Sequence, residues 1–329
     1  MPKIDLKSRP RRLRKNQVIR NLVQETFLSP SQFVAPIFIH EGNDPEITIN
    51  SMPGIYQFSL EKALKHIEEL QENKISSIII FGIPDSKDNQ ATSAWSENGI
   101  IQRVNKKIKE HFSDIILIND TCLCEYMDHG HCGITLEKNI LNDPTLEILK
   151  KTALSQATSG ADIIAPSGMM DGMVASIRTV LDENGFQDVA IMSYAVKYAS
   201  AFYGPFREAA QSAPGFGDRK SYQMNPANKR EAIREALLDE KEGADIIMVK
   251  PALPYLDIIS AVKENINLPV AAYNISGEYA MLKAASQNGW LDENKAAFEM
   301  LTSIKRAGAD IIISYFAKDI VKILKSQQD

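Results

Sequence analysis

Cysteine is scarce and confined in this chain: three in 329 residues, all between positions 122 and 132. An odd count, with no secretory leader, argues against a disulfide with a spare thiol. No apolar run approaches the roughly 18 residues of a transmembrane helix. The first fifteen residues lack the apolar stretch of a signal peptide. A cytoplasmic home, where thiols stay reduced, is the expectation. No G-x-G-x-x-G follows the first strand-like segment, which disfavours a dinucleotide-binding sheet. The first twenty residues are strongly basic, yet the net charge is −5, and no nucleic-acid fold signature accompanies them. Neither nucleic acid nor membrane is expected as a partner. An arm that packs against a neighbouring subunit is the better reading of the basic tail.

The chain has what a soluble globular protein needs. Its hydrophobic content is 44% and its charged content 24%, enough for a sizeable core. The phrase GADII occurs three times, at 160–164, 243–247 and 308–312. Each copy follows a helix-like stretch and continues into a β-rich apolar run. The glycine fits a helix C-cap that needs left-handed dihedrals, and the isoleucines fit a strand buried on both faces. Helix, glycine, strand is the tail of a βα repeat.

Eight such runs occur, at 33–39, 77–82, 114–119, 162–166, 189–194, 245–250, 269–274 and 310–315. Amphipathic helical stretches lie between them, among them 59–72, 144–159, 227–241 and 291–306. Eight alternations in a chain of this length point to an α/β fold, a (β/α)8 TIM barrel. A doubly wound open sheet is the alternative. Pro36 weakens the first strand, because proline removes a ladder donor. The domain plan is an extended N-terminal arm over 1–30 and a single catalytic barrel over 31–329. The connection after strand five, about 198–226, is long and rich in glycine and proline, as a mobile lid would be.

Barrel enzymes work at the C-terminal ends of their strands, and polar residues recur at those ends here. Strand three runs into Asp120 and the stretch 120–133, DTCLCEYMDHGHCG. Cys122, Cys124 and Cys132 in C-x-C-x7-C spacing look like a soft-metal site, with zinc the default. Three sulfurs suggest a catalytic zinc with an open position. Closure by His129 or His131, making the site structural, is the alternative. Strand four ends at Ser167, strand five leads to Lys197, strand six ends at Lys250, strand seven leads to Ser276 and strand eight to Tyr315. A lysine at a barrel mouth forms a Schiff base only as the neutral amine. Bringing it from about 10.4 to near 7 takes roughly 4 kcal/mol, and desolvation or a second ammonium pushes that way. Either lysine alone could instead bind an anion or snorkel. In the lid, Arg207, Arg219 and Lys220 could greet an anionic substrate or form a solvated basic loop.

Together these residues resemble the porphobilinogen synthase (5-aminolevulinate dehydratase) family. The matching pieces are 9–14 (RPRRLR), the cysteine stretch, 193–197 (SYAVK), 202–208 (FYGPFRE), 217–226 (GDRKSYQMNP), 248–251 (MVKP), 276–279 (SGEY) and 306–310 (RAGAD). The resemblance implies a hydro-lyase of heme biosynthesis. Such an enzyme condenses two 5-aminolevulinate molecules to porphobilinogen, with loss of two waters. Carried over residue by residue, Lys197 and Lys250 are the two Schiff-base lysines, and the three cysteines hold an active-site zinc. Arg207, Arg219 and Gln223 surround one substrate carboxylate, Ser276 and Tyr315 hold the other, and Asp120 and Ser167 are candidates for proton transfer. Glu231 matches an allosteric magnesium position, and a homo-octamer is implied. Some family members replace the cysteines with aspartates; this chain keeps all three. Met127 and Asp128 stand where small hydroxyl residues are common.

Two rivals remain at this level. A class I aldolase shares barrel and lysine but needs no zinc. A zinc-dependent regulatory or storage barrel would bind metal without a trappable lysine.

Overall fold

In the computed structural model of the chain, residues 7–326 are described. The first six residues of the expected arm and the last three of the barrel segment lie outside them. Eight strands close a parallel barrel: β1 (Phe33–His40), β2 (Ser77–Ile83), β3 (Ile116–Thr121), β4 (Ile163–Pro166), β5 (Ala190–Lys197), β6 (Ile246–Lys250), β7 (Val270–Asn274) and β8 (Ile311–Ser314). Each pairs with the next, and β8 returns to β1 through Phe33↔Ile312 and Val34↔Ile313. This closure excludes the open doubly wound sheet. Around it stand α1 (Leu60–Glu72), α2 (Ile100–His111), α3 (Asn142–Thr158), α4 (Met173–Glu183), α5 (Arg230–Glu242), α6 (Leu256–Asn265), α7 (Ser276–Gln287), α8 (Glu293–Arg306) and α9 (Ile320–Lys325). No described helix is long and apolar enough to cross a membrane.

Pro36 lies inside β1 after all, for a local reason. The ladder from β1 to β8 covers only Phe33 and Val34, while that to β2 runs from Ala35 to His40. The proline stands past the end of one ladder, where its missing donor costs little. Two short hairpins were not anticipated. One, Glu46–Thr48 with Tyr56–Phe58, extends the sheet beside β1; the other joins Thr135–Leu136 to Asn139–Ile140. Strands five and three also run further toward the site than expected, so Lys197 and Asp120 belong to the strands themselves.

The GADII phrase acts as a junction. Gly160, Gly243 and Gly308 have φ of +112°, +104° and +121°, which glycine adopts without strain. A Cβ on Gly308 would lie 2.9 Å from Cβ and Cγ of Lys263. The aspartate two residues later then accepts a hydrogen bond from the amide of the preceding strand. Asp162 takes Leu117 N at 2.7 Å, Asp245 takes Ile191 N at 2.8 Å and Asp310 takes Val270 N at 2.9 Å. These bonds sit at the N-terminal end of the barrel, opposite the strand ends that carry the polar residues. The repeat sets register and leaves chemistry to the other face.

Before β1, Pro10–Arg14 and Gln17–Leu22 form two short helices with no buried residue. Leu13, Val18, Leu22 and Phe27 are all more than half exposed.

Candidate active site

Lys197 and Lys250 are the last residues of β5 and β6 and face each other in register across the ladder. Both are buried. Beneath them lies an aromatic floor. The Lys250 Nζ is 4.4 Å from the ring centre of Tyr273, 4.9 Å from Tyr194 and Phe206, and 5.5 Å from Tyr203. Lys197 Nζ lies 5.5 Å from the same Tyr194 ring and donates to Ser167 O at 2.5 Å. Rings on several sides exclude water, and burial is the main reason the Lys250 ammonium is pushed down to about 7. The Lys197 charge adds to this, while Asp120 opposes it. Such an amine is neutral and nucleophilic near physiological pH. Asp120, on β3, accepts from Ser167 Oγ at 3.1 Å. Its burial holds the carboxyl above the usual range, against the pull of Lys250 and Lys197.

The three cysteines are free thiols and buried. Their sulfurs lie within 4.8 Å of one another, Cys122 and Cys124 at 3.4 Å. Cys132 is pushed well down by hydrogen bonds from the other two, helped by Arg219 and Lys197, while Cys124 is pushed up by its bonds to Cys122 and Cys132. A compact, buried set of three sulfurs fits a soft divalent cation and leaves a coordination position over. Neither histidine joins them among the described residues. Both ring nitrogens of His131 are engaged elsewhere, Nε2 with Phe216 O at 2.8 Å and Nδ1 with Tyr222 Oη at 3.0 Å.

Those partners belong to segment 198–226, which arches over the site. Its two ends are tied together where Ala199 N donates to Met224 O and Met224 N donates to Lys197 O. Its crown is latched to the cysteine loop. Arg219 Nη2 donates to Gly130 O at 2.9 Å and Ser212 O at 2.6 Å, and Gly215 N donates to His129 O. Arg219 Nε and both polar atoms of the Gln223 amide are buried without a partner. Donors and acceptors left over in this way are free to take a ligand or a water.

Seven of the expected residues line one cavity: Asp120, Cys124, Ser167, Lys197, Arg207, Arg219 and Lys250, with Tyr203 and Phe206. Only about 10 Å³ is open there, room for about one water. Gln223 opens instead onto the neighbouring cleft beside Met169 and Asp171. Ser276 Oγ accepts from Phe206 N at 3.0 Å, and Tyr315 Oη meets Tyr273 Oη at 3.1 Å; neither lines the cavity around the lysines, and Tyr315 lines a separate one beside Tyr279. Lys220 points outward to Asp218 and does not join the site. Glu231 sits in the outer cleft, accepting from Asn228 Nδ2 at 2.9 Å.

Glu125 escaped the sequence reading although it lines the cavity. Its carboxyl is buried, pushed up to about 7 by burial and next by Asp120; Oε2 lies 3.3 Å from Cys124 Sγ and Oε1 has no partner. The signal was a charged residue beside a metal-type cysteine. Tyr194, shared by both lysines, was hidden in an apolar run.

The family model for delta-aminolevulinic acid dehydratase matches residues 7–323. Curated proteins of that name from Synechococcus elongatus and Bacillus subtilis are 56% and 55% identical to the chain. Each match covers 96% of this chain and 98% of the relative. A crystal structure of delta-aminolevulinic acid dehydratase (porphobilinogen synthase) from Toxoplasma gondii, in complex with the reaction product porphobilinogen, superimposes with a TM-score of 0.95. It is 43% identical and covers 97% of this chain and 92% of that one. With this fold, this pair of facing lysines and these relatives, the chain belongs to the delta-aminolevulinic acid dehydratase family.

Proposed function

We propose that the protein condenses two molecules of 5-aminolevulinate to porphobilinogen, with loss of two waters, in heme biosynthesis. Lys250 and Lys197 each form a Schiff base with one substrate. The observation that carries this is the in-register pair of buried lysines over one tyrosine ring, beside three clustered sulfurs.

The neutral amine of Lys250 adds to the ketone carbon of one substrate, and the ketone oxygen leaves as water once protonated. Lys197 does the same for the second substrate. Asp120, bonded to Ser167 and facing both lysines, is placed to move the protons these steps need. Arg207 and Arg219, with Gln223, take one substrate carboxylate bidentately. Ser276 and Tyr315 take the other. A pocket of one water's size must open first, and the loop 198–226 is the element to move, since its hold on the cysteine loop is by hydrogen bonds. When bound by Cys122, Cys124 and Cys132, a divalent cation would supply Lewis acidity toward the second substrate; zinc is the metal proposed.

The poise of Lys250 is testable by reductive trapping. With 5-aminolevulinate and borohydride, labelling of Lys250 should rise with pH through a midpoint of about 7 and level off by about 8. Lys197→Met should move that midpoint upward, because it removes a like charge. A midpoint near that of an ordinary lysine, about 10.4, would contradict the assignment.

The finer features are proposed with it. The exposed apolar side chains of the arm, Leu13, Val18, Leu22 and Phe27, would be covered by other copies in a homo-octamer. Glu231 would hold an allosteric magnesium ion. Sedimentation of the purified chain should show octamers, favoured by magnesium in wild type and not in Glu231→Ala; monomers throughout would refute both. A cytoplasmic location accords with three thiols that must stay reduced.

A further inference from the structure

The segment SGEY at 276–279 opens α7, and its glutamate takes no part in the chemistry above. Glu278 is 1% exposed. Its Oε1 accepts from Ala252 N and Leu253 N, both at 3.1 Å, and its Oε2 from Asn274 Nδ2. Ala252 and Leu253 are the second and third residues after Lys250. Asn274 ends β7, and its Oδ1 accepts from Ser314 Oγ at 2.8 Å, at the end of β8. A single chain of bonds therefore ties the ends of β8 and β7 to the turn that follows the reactive lysine. From the other side, Lys250 O accepts from Tyr198 N at 3.0 Å and Tyr203 Oη at 3.3 Å.

A buried carboxyl is costly unless hydrogen-bonded. This one bonds to the Lys250 turn, to Asn274 at the end of β7 and to the backbone of the next residue, Ile275. The direction of the chain also matters. Ser314 Oγ donates to the oxygen of the Asn274 amide, which turns the NH2 toward the Glu278 carboxylate. Burial and the charges of Lys197 and Asp120 lead the influences on Lys250, and Glu278 meets the lysine through the turn that follows it.

We propose that Glu278 is a positioning residue for the condensation, which holds the turn after Lys250 so that the amine stays inside its aromatic box. This rests on Lys250 being a reactive amine. A displacement of about 1 Å at a reacting group can cost on the order of 100-fold in rate.

The test compares wild type, Glu278→Gln, Glu278→Ala and the swap Asn274→Asp/Glu278→Gln. In the swap, the new carboxylate at position 274 accepts from the new side-chain amide at position 278 and from the Ser314 hydroxyl. Borohydride trapping with 5-aminolevulinate is mapped separately at Lys250 and Lys197, beside kcat, KM and thermal midpoint. Glu278→Gln should lower kcat by about 10- to 100-fold with KM changed less than about 3-fold. It should slow trapping at Lys250 by a similar factor, leave Lys197 trapping unchanged, and be largely rescued by the swap. Should Glu278→Ala fail to fold, the near-isosteric glutamine variant decides alone. Trapping at Lys250 that matches wild type, equal losses at both lysines with a lower thermal midpoint, or no rescue by the swap would overturn the inference. Absence of a Lys250 adduct in wild type would instead sink the reading of that lysine.

Discussion

Lys250→Met should fold, bind zinc as the unmutated chain does and lose turnover by at least about 10⁴-fold, the scale seen when a nucleophile that acts as part of a unit is removed. The side chain is nearly the same length and enters a box of Tyr194, Tyr203, Phe206 and Tyr273 rings that suits a thioether. Its thermal midpoint should hold or rise. In the unfolded chain the lysine keeps its proton to about pH 10.4, whereas in the fold burial and Lys197 bring it to about 7. Between those values the unfolded state binds more protons, so wild-type stability rises with pH there. The methionine variant lacks this slope. Lys250→Arg should be both inactive and less stable, because a guanidinium stays charged. Steady-state assay with thermal unfolding at about pH 7 and 9 checks all three statements. A methionine variant with more than about 1% of wild-type turnover would remove Lys250 from the mechanism.

Cys132→Ser lowers the affinity for zinc by at least about 100-fold and turnover with it, because a serine hydroxyl is a poor replacement for a thiolate toward a soft cation. Of the three, Cys132 is the thiol the surroundings make most acidic, through hydrogen bonds from Cys122 and Cys124 and then the Arg219 and Lys197 charges. Competition against a chromophoric chelator reads the affinity, and added zinc should restore part of the activity of the variant. Wild-type affinity in Cys132→Ser would mean the cation, if any, sits elsewhere.

The sequence made the fold legible because three copies of GADII mark helix ends and strand starts with a positive-φ glycine and a register-setting aspartate. The positions of the lysines and cysteines could be read from strand ends and from metal-like spacing, although either lysine alone also admitted a bland role. Pro36 weakened a strand that is there all the same, because one proline's cost depends on which neighbour its missing amide would have faced, and only the closed ladder tells. Lys220 misled in the other direction: a cation in a loop says nothing of which way it points. Glu125, Tyr194 and Glu278 went unread. Tyr194 matters through Lys250, on the next strand of the barrel, Glu278 through Ala252 and Leu253, and Glu125 through a depth of burial that no local pattern encodes.

Ser276 and Tyr315 mark a different limit. They lie where the strand ends put them, yet neither lines the small cavity around the lysines; they meet Phe206 N and Tyr273 Oη instead. The role proposed for them toward substrate would need the loop that carries Phe206 to move.

The central claim is that two lysines and a sulfur-bound cation join two 5-aminolevulinate molecules in one cavity. The most direct measurement is formation of the pyrrole porphobilinogen from 5-aminolevulinate by the purified chain, zinc-loaded and chelator-stripped, with product identified by mass. Product with zinc and none without is the expected result. Product in both would leave the condensation standing and make the cation dispensable. No product from correctly folded, zinc-loaded protein would contradict the account.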